Sequence, residues 1–159
     1  MKQSLYVRAT VKGHPIHPML VGLPIGFYAA GTVALVVLGA TGADFWQRAA
    51  MVALGTGVAC GAVAAVFGMI DLFGGVPPRT PARATGVRHL GANAAALVVF
   101  ATAAILLRAH HAWTAPFVLA LVGFALTAIG GGLGFQLVQT HHVGVSGTAD
   151  APIPTRRNS

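Results

Sequence analysis

The chain has 159 residues, 55% of them hydrophobic and only 8% charged, with 10 Lys and Arg against 3 Asp and Glu and a formal net charge of +7. A mean hydropathy of +0.74 excludes an ordinary soluble domain, in which about a quarter of residues are charged. The basic residues flank apolar runs and have no interleaved aromatics to stack on bases, so the expected partner is a lipid bilayer with anionic headgroups, and no nucleic acid.

Residues 1–17 form a basic, polar lead-in. The first apolar run, about Met19 to Ala40, exceeds the ~7–15 residues of a cleavable signal core and is read as a retained helix. It starts near Pro18, a residue suited to a first helical turn, and Pro24 is expected to bend it. Gly42 and Asp44 mark a turn. The second span runs from near Trp46 to about Gly74, where Gly74, Gly75, Pro77 and Pro78 stop it, and a basic loop with Arg79, Arg83 and Arg88 follows. The third span is expected over Leu90 to Leu107, ending in an interfacial set of Arg108, His110, His111 and Trp113, and the fourth over Ala115 to Val138. Each run nears the ~20 residues that cross ~30 Å of hydrocarbon. The fold expected is an all-α integral membrane four-helix bundle over residues 18–142, with a flexible tail at 143–159 that is rich in Gly, Pro, Ser and Thr.

Small residues recur at four-residue spacing: Gly22 and Gly26; Ala53, Gly57, Gly61 and Ala65; Gly130 and Gly134. Such ridges let helix backbones approach closely in lipid. The lone cysteine, Cys60, lies inside the second run and has no partner in the chain for a disulfide.

Four spans put both termini and the second loop on one side, with eight of the 10 basic residues, leaving Arg48 and Arg108 opposite. The positive-inside rule makes that side cytoplasmic, giving an N-in, C-in multi-pass protein. The same parity gathers His14 and His17, Asp71, His89 with Asn93 one turn on, and His141 at one end of the bundle. Ionisable groups at membrane depth are costly and mark functional sites. Taken singly, each has a plain structural reading: the His-Pro pairs as a stiff lead-in, Asp71 paired with Arg79 or Arg83, His141 on the surface below the last turn.

At these residues the sequence resembles a family of small bacterial membrane proteins catalogued as domain of unknown function 2231. The resemblance covers about His14 to Val145 and rests on His14-Pro15-Ile16-His17-Pro18, on Gly68-Met69-Ile70-Asp71, on His89 with Asn93, and on His141-His142-Val143-Gly144-Val145. It implies a bacterial inner-membrane location. Some relatives carry a fused Rieske iron-sulfur domain, which implies a redox setting. The chain departs from the pattern at Gln136, where an acidic residue is usual, and at His142, where glycine is usual.

Three functions fit these features. The first is a haem b or electron-transfer subunit working with a redox protein or a larger membrane complex; its cofactor-binding residues are His17, His89, His141 and Asn93. His89 and His141 are the expected axial ligands, His17 is the next candidate, and Arg79, Arg83 and Arg88 suit the propionates. The second is a bare Zn, Fe or Cu site built from His14, His17, Asp71, His89 and His141, a mixed N and O donor set. The third is a non-catalytic structural subunit. No Ser/His/Asp arrangement, phosphate-cradling loop or paired carboxylate is present in the sequence, so no catalytic residue is assigned and a stand-alone enzyme is not expected.

Overall fold

A computed structural model describes residues 7–12, 14–109 and 112–145. A short antiparallel hairpin pairs β1 (Thr10–Val11) with β2 (His14–Pro15). Then come α1 (Ile16–Leu20), α2 (Gly22–Thr41), α3 (Asp44–Gly75), α4 (Pro81–Ala109) and α5 (Thr114–Gln139). Counting α1 with α2 as one run, the four long helices have 26, 32, 29 and 26 residues. At ~1.5 Å per residue even the shortest exceeds the hydrocarbon thickness. All four are long and apolar enough to cross a membrane. His110, His111 and residues 146–159, including the charged part of the expected tail, lie outside the described residues.

Local chemistry explains the boundaries. The first span is interrupted at Val21, one turn before Pro24. Pro24 has no N–H for the Leu20 carbonyl and its ring crowds that turn, so the expected bend falls ahead of the proline. Gly42 closes α2 in a left-handed conformation (φ 64°) that glycine adopts without strain, its N–H donating to the Leu38 carbonyl. The third span begins at Pro81, earlier than the sequence suggested. Thr80 Oγ1 accepts the Arg83 N–H at 3.2 Å and Pro81 fills the first helical position, which together start the helix in what read as a loop. Arg83 is thus helical, and its Nη1 donates to the Leu72 and Val76 carbonyls at 2.6 and 2.9 Å, capping the end of α3.

The long helices alternate in direction. α2 packs on α3, α3 on α4, α4 on α5, and α5 back on α2. Close approach follows two of the three small-residue ridges. A Cβ on Gly57 would stand 2.6 Å from the Tyr28 ring and one on Gly61 3.1 Å from its hydroxyl, whereas nothing lies within 4 Å of such an atom on Gly22 or Gly26. The Gly22 and Gly26 ridge is therefore exposed, and the expectation that it packs a helix is corrected. The apolar core, with Leu35, Leu54, Phe100 and Leu107 fully buried, fills the half of the bundle away from the chain termini. Polar side chains collect in the other half.

Topology is checked by reporter fusions. Fusions at Ser159 and at the α2–α3 turn near Gly42 are expected to report opposite compartments, with Ser159 inside. The same compartment for both would contradict the four-crossing arrangement.

Candidate functional site

His17 sits in the first turn of α1 and docks on α3. Its Nδ1 lies 2.8 Å from the Ala64 carbonyl, and a Cβ on Gly68 would stand only 3.0 Å from that nitrogen. His89, on α4, docks on α5 in the same way: Nδ1 lies 2.8 Å from the Gly130 carbonyl, and a Cβ on Gly134 would stand 3.0 Å from its Cε1. Each imidazole fills a notch above a glycine and reaches the carbonyl one turn earlier. A carbonyl can only accept, so Nδ1 carries the proton in both rings and the neutral tautomer keeps its lone pair on Nε2. The two rings are neighbours, with centroids 6.1 Å apart and planes at 87°. Both are half-buried.

This likeness is part of an internal repeat. The shift in residue number that takes His17 to His89 also takes Pro24 to Ala96, Tyr28 to Phe100, Gly31 to Ala103 and Leu35 to Leu107, and all eight of these last are buried. The shift that takes Gly68 to Gly134 takes Ala50 to Pro116, Leu54 to Ala120, Gly57 to Gly123 and Ala64 to Gly130, again all buried. Contacts repeat with the residues. Gly57 underlies the Tyr28 ring as Gly123 underlies that of Phe100, where an added Cβ would come within 2.7 Å. Tyr28 and Phe100 stack on each other at 3.7 Å and 8°. Equivalent residues that touch one another mark a two-fold relation. The bundle is therefore two similar helical hairpins, each contributing one anchored histidine.

A family model described as Predicted membrane protein (DUF2231) matches residues 13–147. The chain belongs to the DUF2231 family. No curated protein and no solved structure matched it.

Helix parity places the expected site residues of this DUF2231 chain at one end but not in one layer. The inner layer holds His17, His89 and Asn93, whose Nδ2 donates to the His89 carbonyl at 2.8 Å and lies 3.4 Å from its Nδ1. The outer layer holds the others. Asp71, buried at 8% exposure, lies three residues along α3 from Gly68, about one turn beyond the glycine under His17. Its Oδ1 accepts the backbone N–H groups of Arg8 and Ala9, both at 2.8 Å. It thus pairs with main chain, and neither Arg79 nor Arg83 is the partner expected from sequence. His141 Nε2 lies 3.2 Å from Thr85 Oγ1, one turn before His89. His14 is exposed, with Nδ1 3.1 Å from the Lys12 carbonyl.

Among the described residues no three His, Cys, Asp or Glu side chains are grouped to hold a metal ion. Of the five expected ligands only His17 and His89 adjoin as rings, while Asp71 takes the Arg8 and Ala9 amides, His141 lies at Thr85 and His14 is exposed. His89 has His17 beside it, with His141 a turn away on Thr85. Arg83, expected near propionates, is committed to the α3 cap. Sequence reading missed Ala64, Gly68, Gly130 and Gly134 as imidazole anchors. Their signal was the repeated small residue at four-residue spacing in the same place on both second helices.

Asp71 has a different task, holding the N-terminal segment across this end of the bundle. Asp71→Ala strands two amide N–H groups, a loss of about 1–3 kcal/mol from segment docking. Trypsin cleavage after Arg8 and Lys12 is expected to quicken several-fold while helix content stays unchanged. Unaltered cleavage would mean that the hydrogen bonds do not hold the segment.

Proposed function

We propose that this protein is a membrane redox subunit in which His17 and His89 are the axial ligands of a haem b. The observation that carries the reading is the imidazole pair, one ring from each hairpin, with Nδ1 tied to a main-chain carbonyl, Nε2 bearing the lone pair, and centroids 6.1 Å apart. Porphyrin fills four positions on iron and asks the protein for two. A bare Zn site asks for about four donors, and no group of even three is found among the described residues. The donor set thus favours haem over a bare ion.

The chain's own contribution is positioning. The Ala64 and Gly130 carbonyls fix each ring's tautomer and rotation and make Nε2 more basic, as partners of ligating histidines generally do. Gly68 and Gly134 leave the room in which the rings sit. Asn93 ties down the backbone of His89. A bound haem would supply a one-electron couple at iron, suited to exchange with a redox protein or larger complex of the bacterial inner membrane.

An absorption spectrum of the purified full-length protein, with elemental analysis, tests the reading. A reduced-minus-oxidised Soret and α band with about one iron per chain is expected. Stoichiometric metal without those bands would replace haem by a bare ion, and neither would leave a structural subunit.

A further inference from the structure

Arg79, Thr80, Arg83, Ala84, Val87 and Arg88 line a groove of about 410 Å³ beside the α3–α4 turn. From Thr80 onward these residues recur at three- and four-residue intervals, a single stripe down the first turns of α4. Three of the chain's 10 basic residues are gathered here. Among the described residues no carboxylate is placed to match their charge. Of the three carboxylates, Asp44 begins α3 at the opposite end, Asp71 binds the Arg8 and Ala9 amides, and Asp150 lies outside the described residues.

Arg79 stands at a strained backbone position and the Arg83 side chain is held in place. Arg79 has a φ of 61°, a left-handed conformation that glycine or asparagine adopts more cheaply, so the side chain is kept at a backbone cost. Arg83 is fixed by the Leu72 and Val76 carbonyls and by the Phe73 ring, 4.5 Å from its guanidinium carbon. Arg79 and Arg88 are exposed. The long apolar run of α4 begins near Leu90, which sets the groove at headgroup level with Ala84 and the exposed Val87 running beside it.

We propose that the groove is a binding site for an anionic phospholipid, with its phosphate between Arg79 and Arg88 and an acyl chain along Ala84 and Val87. Guanidinium groups match phosphate geometry, and the interface supplies that anion at high local concentration. No histidine among the described residues lines the groove, and the proposal is tested independently of what the histidine pair binds.

The full-length protein, delipidated in neutral detergent, is melted with added phosphatidylglycerol, phosphatidylcholine or inorganic phosphate. Phosphatidylglycerol is expected to raise the melting temperature by about 5 °C and the other two to leave it unchanged. The Arg79→Ala plus Arg88→Ala protein should melt like the wild type in phosphatidylcholine but lose the rise, while Arg48→Ala plus Arg108→Ala, on the opposite side, keeps it. Should the first pair not fold, Arg88→Gln alone is read the same way and should lose most of the rise. The proposal is overturned if these variants retain the rise, if the opposite pair loses it equally, or if inorganic phosphate alone produces it, which would mark a free-anion site.

Discussion

Alanine at His17 or at His89 is expected to remove the reduced-minus-oxidised α band entirely, whereas alanine at His141 leaves it in place. The two ring nitrogens aimed at carbonyls lie in the inner layer, 2.8 Å from Ala64 and from Gly130, and each ring is the sole imidazole its hairpin brings to that layer among the described residues. Removing one would leave the iron of the proposed haem with one protein ligand, and retention of haem should fall by more than about tenfold. His141 is engaged with Thr85 one turn further out, so its loss should shift the band by little. Asp71→Ala is likewise silent in the spectrum, since its carboxylate faces the Arg8 and Ala9 amides. Imidazole added to the His17→Ala or His89→Ala protein should restore part of the band, because the notch above Gly68 or Gly134 is then vacated. A spectrum that survives both histidine variants but fails with His141→Ala would transfer the ligand role to the outer layer and overturn the pairing.

How far the sequence reaches is visible in the same residues. The four spans were legible because apolar runs of membrane length need no tertiary information. Parity alone then predicted that His17, Asp71, His89 and His141 share an end. Depth was not legible. It depends on where each helix starts relative to the others, and Thr80 with Pro81 starts α4 well before its apolar run, while α3 continues past the level at which His17 docks. That offset places Asp71 about one turn beyond the glycine under His17, where its carboxylate takes the Arg8 and Ala9 amides. The repeat was hidden for another reason. Equivalent positions keep burial more than identity or size, as Pro24 with Ala96 and Leu54 with Ala120 show, and only the contacts make the correspondence plain.

Gly57→Leu is expected to be among the most destabilising single changes in the bundle, with Gly123→Leu close to it. A Cβ alone on Gly57 would come 2.6 Å from the Tyr28 ring, and one on Gly123 2.7 Å from that of Phe100. Neither ring can retreat, because the two are stacked face to face at 3.7 Å and each blocks the other's escape. Overpacking of this kind costs about 1–3 kcal/mol or more, and in lipid, where close packing rather than water exclusion holds helices together, no compensating burial offsets it. A fall of about 5–10 °C in the detergent melting temperature corresponds to that loss for a chain of this length. Gly26→Leu supplies the contrast: nothing lies within 4 Å of the added atom, so it should melt as the wild type does. The mechanism also predicts coupling across the stack. Gly57→Leu combined with Tyr28→Ala should recover much of the lost stability, since removing the ring removes the clash, and Gly57→Leu with Gly123→Leu should cost less than the sum of the two, since both force apart one shared pair of rings. Strict additivity of the two glycine variants, or no rescue by Tyr28→Ala, would show that the hairpins are not joined through this stack.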